Sequence, residues 1–210
     1  GAEPGQIVFT GGGTEADNLA ISGVLELTPG IPVCSAVEHH AVLEPVEHHG
    51  GRIVGVDTSG VLDLDQLAAA LDDQVSVVSV MTANNETGML QPLSDIAALV
   101  RDRAPQALIH TDAVQALCWL DVAELAADAD LISISAHKFG GPKGVGALVV
   151  VGDAAPLIEG GGQEARRRAG TENVIGIAGF GAAAEAAKRD LEAGVWERVA
   201  QLRNILEKAL

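Results

Sequence analysis

Aromatic residues are nearly missing from this 210-residue sequence, which has no tyrosine and only 2% aromatic residues in all. A folded core must therefore be packed mainly with valine, leucine, isoleucine and alanine, and a hydrophobic content of 48% is typical of a globular protein. Positive charge is also scarce, since 13 lysines and arginines stand against 29 acidic residues. The resulting formal charge of −16 argues against a nucleic-acid backbone or an anionic membrane as a partner.

Cysteines and long apolar runs are few as well. Cys34 and Cys118 are isolated thiols without a Cys-x-x-Cys spacing, so we expect no disulfide framework and a reducing cytoplasm as the location. The sequence contains no signal peptide and no apolar run long enough to span a bilayer. The sequence does not begin with methionine, and we expect it to be part of a longer protein.

A glycine-rich turn follows the first predicted strand. The apolar run at residues 7–9 leads into Thr-Gly-Gly-Gly-Thr-Glu-Ala-Asp-Asn at residues 10–18. Glycines let a backbone approach a ligand closely, and Thr14 with Asp17 resembles a capping pair at the start of a helix. This pattern is neither the dinucleotide fingerprint nor a Walker loop. It favours either an anion site at a helix N-terminus or a plain tight turn.

Two pairs of adjacent histidines, at residues 39–40 and 48–49, raise the question of a metal site. Adjacent side chains point in different directions on a helix or a strand, so each pair readily supplies only one ligand. Neither cysteine fits a zinc spacing, and we therefore predict no metal site. The imidazole of His39, at the end of a predicted strand, is suited instead to stacking on a planar cofactor or moving a proton.

Polar side chains follow three more predicted strands. A β-branched run at residues 75–81 ends in a polar cluster that contains Asn85, and the next strand delivers Asp112. Asp112 is either a helix cap or the partner of a cationic ring nitrogen. An alternating strand then leads to Lys138, just before a Gly-Gly-Pro turn. A lysine held at a strand end suits Schiff-base chemistry, whereas an arbitrary lysine on a turn is usually a surface residue.

The strand order along the chain predicts an α/β fold. Residues 145–151 return as a strand directly after the Gly-Pro turn, and so short a connection implies an antiparallel neighbour. We expect a mostly parallel sheet flanked by helices with one antiparallel strand, and polar groups collected at the carboxyl edge of the sheet. Pyridoxal phosphate needs such a set: a lysine for the covalent link, a carboxylate for the ring nitrogen, and a helix N-terminus for the phosphate.

The sequence resembles the cysteine desulfurases of the NifS/IscS type, in the class V aminotransferase group of fold type I pyridoxal-phosphate enzymes. Six stretches carry the resemblance, in family order over nearly the whole chain: FTGGGTEADNLAI, VEHHAVLEP, VMTANNETGMLQP, HTDAVQ, SISAHKFGGPKGVGAL and GGGQEARRRAGTEN. The segment EHHAVL favours the NifS/IscS branch over the SufS-like one. The resemblance implies that residues 1–210 form the large, cofactor-binding domain of a fold type I transferase, without the N-terminal segment and the C-terminal small domain.

The resemblance also implies roles for individual residues. Lys138 would form the covalent link and later move protons, and His39 would stack on the ring and assist acid–base steps. Asp112 would pair with the ring nitrogen, and Ala113 would pack on the opposite ring face. The other implied contacts are Asn85 and Gln115 on the ring-oxygen side, Gly13, Thr14, Ser135 and His137 at the phosphate, and Thr171 at the phosphate of a neighbouring subunit in a homodimer.

The implied reaction converts L-cysteine to L-alanine and passes sulfur through a cysteine persulfide to an acceptor, such as an iron–sulfur scaffold or a tRNA-thiolation protein. In the family, the persulfide cysteine lies far beyond the lysine, and neither Cys34 nor Cys118 matches it. The substrate-carboxylate arginine of the small domain is also outside this chain. A smaller departure is Gly11, where many relatives carry serine.

Two alternatives stay open. One is another class V enzyme, such as a selenocysteine lyase or an isopenicillin-epimerase-like protein, although the EHHAVL and RAGTEN stretches argue against it. The other is a non-catalytic paralogue or fragment that binds the cofactor or a partner without turnover. The missing nucleophile favours that alternative, whereas the presence of Lys138, Asp112 and His39 argues against a loss of catalytic function.

Overall fold

Seven strands form one sheet in the computed structural model, which describes residues 2–209. The strands are β1 (Ile7–Thr10), β2 (Ile31–Ser35), β3 (Arg52–Val54), β4 (Val75–Ser79), β5 (Leu108–Asp112), β6 (Leu131–Ser135) and β7 (Gly146–Val150). The helices are α1 (Gly13–Leu27), α2 (His40–His48), α3 (Leu64–Ala70), α4 (Leu93–Arg103), α5 (Val122–Leu125), α6 (Val174–Glu192) and α7 (Val195–Ala209). Three 3₁₀ turns span Pro4–Gln6, Ala136–Phe139 and Gln163–Arg166.

The order of the strands across the sheet is β1-β7-β6-β5-β4-β2-β3. All neighbours from β3 through β6 pair in parallel, while β7 pairs antiparallel with both β6 and β1. The predicted sheet, mostly parallel with one antiparallel strand, is therefore confirmed. The turn into β7 contains Gly140 and Gly144, whose φ angles of 87° and 77° lie in the left-handed region that favours glycine.

Apolar layers cover both faces of the sheet. In β4, which is buried along its whole length, Val77 packs toward α1 and α2, and the next residue, Val78, packs toward α3 and α4. This period of two explains why the sequence of β4 is an almost continuous β-branched run. A smaller cluster joins Phe139, after β6, to Phe180 of α6, with ring centroids 5.3 Å apart. Helix α6 thereby fixes the turn that carries Lys138.

The start of α1 differs from the prediction. The helix begins at Gly13, with Gly12 as its N-cap, and no side chain caps it. Thr14 lies inside the first turn, and Asp17 is only 2% exposed because it lies on the face that packs on the sheet. The predicted Thr14–Asp17 capping pair is therefore wrong.

None of the helices within residues 2–209 combines the length and the apolar character that a membrane crossing requires.

Candidate active site

A cavity of about 290 Å³ lies where β5 and β6 end and α1 begins. Because β4, β5 and β6 are parallel, the segments that follow them meet at one edge of the sheet. The residues that line the cavity are Gly13, Thr14, Asp17, His39, Met81, Asn85, Asp112, Val114, Gln115, Ser135, His137 and Lys138. The structure thus brings together all of the predicted cofactor-binding residues except Ala113 and Thr171.

Lys138 belongs to the 3₁₀ turn that directly follows β6. The turn is held by hydrogen bonds from the Ala136 amide to the Val145 carbonyl (3.2 Å) and from the Gly141 amide to the Ala136 carbonyl (2.9 Å). Buried Phe139 anchors its other side. The lysine side chain itself is exposed at the cavity and has no ion pair with another described residue. A fixed backbone with a free amine is the arrangement that Schiff-base formation needs.

Asp112 ends β5 and is only 6% exposed. Its Oδ1 accepts a hydrogen bond of 2.8 Å from the Val114 amide, so the carboxylate stabilises the turn after β5, although no helix begins at that turn. It also lines the cavity, and its role as the partner of a ring nitrogen stays a prediction. Burial raises the pKa of Asp112, while the Val114 amide and the neighbouring His39 and Lys138 act in the opposite direction. A buried carboxylate with these neighbours can hold a cationic ring nitrogen.

His39 is the N-cap residue of α2, which fixes its position at the cavity. Its Nδ1 accepts a hydrogen bond of 3.1 Å from the Ala41 amide. In the neutral imidazole, the proton is therefore on Nε2. The ring is exposed and lines the cavity, so it is free to stack on a planar ligand and to donate from Nε2.

The N-terminus of α1 comes unusually close to the segments that follow β5 and β6. A Cβ atom on Gly13 would lie 2.9 Å from Cγ2 of Val114 and 3.4 Å from Cβ of Ser135, so only glycine leaves room for this approach. The Ser135 hydroxyl and Nδ1 of His137 are hydrogen-bonded at 3.0 Å beside it. Free amides at a helix N-terminus, together with hydroxyl and imidazole groups, form a site for an anion such as a phosphate.

A charged contact holds the glycine loop in place. Oε2 of Glu15 accepts a hydrogen bond of 2.7 Å from the Gly11 amide, and Oε1 of the same carboxylate pairs with Nε of Arg168 at 2.8 Å. The hydrogen bond that Arg168 donates to Glu15 raises the pKa of the Arg168 guanidinium. The Gln163–Arg166 turn contributes as well, since Oε2 of Glu164 accepts from the Phe9 amide at 3.0 Å. The polar loop at residues 160–173 is thereby attached to the entrance of α1.

Two predicted site residues lie outside the cavity lining. Ala113 is fully buried directly after Asp112, and its amide donates to the Ser133 carbonyl at 3.0 Å. Thr171 is exposed on the polar loop. Its predicted role at the phosphate of a neighbouring subunit concerns a second chain and stays a prediction.

Sequence reasoning missed two buried acids at the cavity. Asp17 lines it directly, and Glu38, which is 6% exposed, lies just before His39. A signal for Asp17 was present, because Asp17 shares a helical face with Ala20, Ile21 and Val24, all of which are buried. A carboxyl group on an apolar helix face is unusual, and this one is placed there to line the cavity.

The cysteines and the histidine pairs do not contribute a nucleophile or a metal site to the described region. Cys34 and Cys118 are 1% and 9% exposed, burial raises the pKa of both thiols, and neither lines the cavity. Within residues 2–209, no group of three or more His, Cys, Asp or Glu side chains is arranged to hold a metal ion. His49 instead contacts the hydroxyl of Ser22 at 3.1 Å.

Comparison with known proteins identifies the family. The family model described as "Aminotransferase class-V" matches residues 1–210. A cysteine desulfurase IscS from Dictyoglomus turgidum is 44% identical over 97% of this chain and 54% of its own length. A cysteine desulfurase from Gluconacetobacter diazotrophicus is 45% identical over 98% of this chain and 53% of its own length.

Solved structures agree with the sequence comparison. The structure of a NifS-like protein superimposes with a TM-score of 0.90 at 36% identity, covering 98% of this chain and 59% of that protein. The chain thus spans about half the length of the curated relatives it matches. Its sheet topology is that of the NifS-like fold, and the family match extends over the whole sequence. The chain belongs to the aminotransferase class-V family.

Proposed function

We propose that the protein is a pyridoxal-phosphate-dependent cysteine desulfurase that converts L-cysteine to L-alanine, with residues 1–210 forming its cofactor-binding large domain. The observation that carries the proposal is the convergence of Lys138, Asp112 and His39 in one cavity at the N-terminus of α1. The similarity to proteins named cysteine desulfurase supports the choice of L-cysteine among the substrates of the family.

The side chains of the cavity fit pyridoxal phosphate group by group. Its phosphate matches the free amides at the start of α1, with the side chains of Thr14, Ser135 and His137 around them. Its protonated ring nitrogen matches the buried Asp112, and its aldehyde matches the amine of Lys138. Its flat ring matches the exposed imidazole of His39. The cavity volume, about 290 Å³, is at the lower end for small-molecule sites.

When bound, the cofactor supplies an electron sink for the substrate α-carbon. The protein's own groups do the rest. Asp112 would hold the proton on the ring nitrogen, and Asn85 and Gln115 add side-chain amides to the lining of the cavity. Lys138 Nζ moves a proton within the cavity, and His39 donates from Nε2. The desolvated surroundings of Asp112 strengthen its attraction for a cation.

The sulfur-accepting thiol is a separate part of the proposal. Cys34 and Cys118 are buried away from the cavity, and a thiol whose pKa is raised is a poor nucleophile. We therefore assign the persulfide to a cysteine in the part of the relatives' length that this chain does not span. From there, sulfur would pass to an acceptor protein such as an iron–sulfur scaffold or a thiolation protein.

The proposal also includes a cytoplasmic homodimer. A cytoplasmic location agrees with two buried, unpaired thiols in the sequence. A homodimer would give Thr171 its predicted partner, because this residue is exposed on the polar loop and lies outside its own chain's cavity.

The test combines a spectrum with an assay. Purified protein that includes its natural flanking sequence is incubated with pyridoxal phosphate, and the visible absorbance band of the bound cofactor is recorded before L-cysteine is added and alanine is measured. We expect the band and alanine from the wild type, no band from Lys138→Ala, and an unchanged band from Lys188→Ala, a control on the exposed side of α6. No band from the wild type would overturn the cofactor proposal.

The same assay separates the alternative functions. A band without alanine, from protein that includes its natural flanking sequence, would indicate a non-catalytic cofactor-binding protein. Turnover of selenocysteine without turnover of cysteine would indicate a selenocysteine lyase.

A further inference from the structure

Three carboxyl groups are buried together beside the cavity. Asp17 of α1, Glu38 before α2 and Asp112 of β5 are 2%, 6% and 6% exposed. Burial is the main influence on each of them, and the charge of Asp112 acts on both of the others. Such neighbours cannot all ionise, because each buried charge must be compensated by partners. The question is which of the three carries the charge.

Asp112 has the partners that an anion needs. Its Oδ1 accepts from the Val114 amide at 2.8 Å, and Lys138 and His39 also favour its ionised form. Both side chains line the same cavity. Hydrogen-bond donors and cations stabilise the ionised form of a carboxyl group.

Asp17 has fewer such partners, since among the groups that act on it only the Ser133 side chain lowers its pKa. Within the described residues, its buried Oδ1 has no hydrogen-bond partner. The nearest basic group is His110, whose Nε2 lies 3.7 Å away, beyond hydrogen-bond distance. Both ring nitrogens of that histidine are already used, Nδ1 with the Ser79 hydroxyl at 2.7 Å and Nε2 with the Ser133 hydroxyl at 2.9 Å.

His110 does not compensate a charge on Asp17. It is fully buried, and burial lowers its pKa to about 3, so the imidazole is neutral at neutral pH. Burial, and next the charge of Asp112, raise the pKa of Asp17 well above its ordinary range. The titratable groups nearest to Asp17 are thus Asp112 and His110 from β5 and Glu38 from the β2–α2 connection. Lys138, His39 and His137 line the same cavity as Asp17.

Glu38 is similar to Asp17 in having one buried oxygen without a partner. Its Oε1 accepts from the Ser35 hydroxyl at 2.6 Å and from the Met81 amide at 2.8 Å, whereas Oε2 has no partner in the described region. Burial raises the pKa of Glu38 to about 8. A protonated carboxyl group fits both observations.

We infer that Asp17 and Glu38 hold their protons at neutral pH, so that the three buried carboxyl groups present a single negative charge to the cavity, on Asp112. Asp17 and Glu38 are then positioning residues, which act on the ligand only through the charge of Asp112. A site with one buried anion at its base selects a ligand with one cationic ring nitrogen. That last step rests on the proposed function, whereas the assignment of the protons does not.

Infrared spectroscopy of the cofactor-free protein at neutral pH tests the assignment. We expect Asp17→Asn and Glu38→Gln each to remove intensity from the band of protonated carboxyl groups. Asp190→Asn, a control on the exposed side of α6, should remove carboxylate absorption and leave that band intact. Loss of carboxylate absorption in place of the protonated band, in Asp17→Asn or in Glu38→Gln, would overturn the inference.

A second measurement covers a failure of Asp17→Asn to fold. In Glu38→Gln, a protonated-carboxyl band from Asp17 must remain, and its complete absence would overturn the inference. The ¹⁵N signals of His110 provide an independent check, because an imidazolium would mean a buried ion pair with Asp17.

Cofactor affinity tests the functional consequence. The affinities for pyridoxal phosphate and for an analogue with carbon in place of the ring nitrogen are compared by titration. Loss of a charged hydrogen bond corresponds to roughly a tenfold to hundredfold loss of affinity, so Asp112→Asn should abolish the preference for pyridoxal phosphate. Asp17→Asn should keep that preference, and its loss in this variant would contradict a neutral Asp17.

The proposed function and the assignment of the protons can fail separately. If neither the wild type nor any variant binds pyridoxal phosphate, the proposed function fails and the infrared result stands. If the infrared bands contradict the assignment while the cofactor binds, the proton inference alone fails.

Discussion

Replacing Gly13 with alanine would put a methyl group where α1 meets the segment after β5. The new Cβ would lie 2.9 Å from Cγ2 of Val114 and 3.4 Å from Cβ of Ser135. Carbon atoms prefer separations of about 3.5–4.0 Å, so the start of α1 or Val114 must move by roughly half an ångström or more. The gap between α1 and the cavity wall would change at the point where the phosphate is expected to bind.

We expect Gly13→Ala to cause a small loss of stability and a larger loss of cofactor affinity. Overpacking costs about 1–3 kcal/mol, while alanine in place of glycine in a helix gains at most about 1 kcal/mol. The free energy of unfolding should therefore fall by roughly 0–2 kcal/mol for Gly13→Ala, measured by urea denaturation. A shift of the helix N-terminus that costs about 1.4 kcal/mol of binding lowers the affinity for pyridoxal phosphate about tenfold.

The matched control is Gly181→Ala in the exposed part of α6. A Cβ at Gly181 has no atom within 4 Å, so this change should stabilise the protein by about 0.5–1 kcal/mol and leave the affinity unchanged. Titration of both variants with pyridoxal phosphate gives the comparison. Wild-type affinity in Gly13→Ala would refute the idea that the close approach of α1 forms the phosphate site.

Three further predictions concern stability. Leu19 of α1 is 1% exposed in the core. Leu19→Ala should lower the free energy of unfolding by about 2–5 kcal/mol, and a loss below about 1 kcal/mol would contradict tight packing there. The pKa of Glu38 rises from an ordinary value of 4.5 to about 8 on folding, so wild-type stability should fall as pH rises between these values. The decline is about 1.4 kcal/mol of unfolding free energy per pH unit, and Glu38→Gln should remove it in denaturation experiments at several pH values. The same pH dependence of stability in the wild type and in Glu38→Gln would contradict a buried proton on Glu38. Arg168→Ala, which removes a partly exposed pair with Glu15, should cost at most about 1 kcal/mol in low-salt denaturation, and a larger loss would contradict a screened contact.

The fold was largely predictable because its signals are local. The β-branched run of β4 and the short connection from β6 to β7 predict a mostly parallel sheet with one antiparallel strand, as the structure has it. The order of the strands across the sheet has no comparable local signal. The pairing of β1 with β7, for example, joins the start of the chain to a strand that begins at Gly146. Such a contact depends on tertiary packing.

The site was predictable where a strand end delivers a side chain. Asp112 ends β5, Lys138 and His39 follow β6 and β2, and all three line one cavity. Asp17 was misassigned, because a short polar residue after a glycine turn resembles a helix cap as much as a buried group. Only the packing of α1 on the sheet decides between these, and it buries Asp17. The proton that we assign to Asp17 depends on neighbours in β5, in β6 and in the connection from β2 to α2, which the sequence around Asp17 does not specify.

The central claim is that Lys138 is the residue that binds pyridoxal phosphate covalently, and reductive labelling tests it most directly. The protein is incubated with pyridoxal phosphate, reduced with borohydride, digested and analysed by mass spectrometry. We predict a phosphopyridoxyl group on the peptide that contains Lys138. After a digestion that separates Lys138 from the neighbouring Lys143, the peptide with Lys143 should carry no label. A label on another lysine, or no label on Lys138 in protein that has bound the cofactor, would contradict the account.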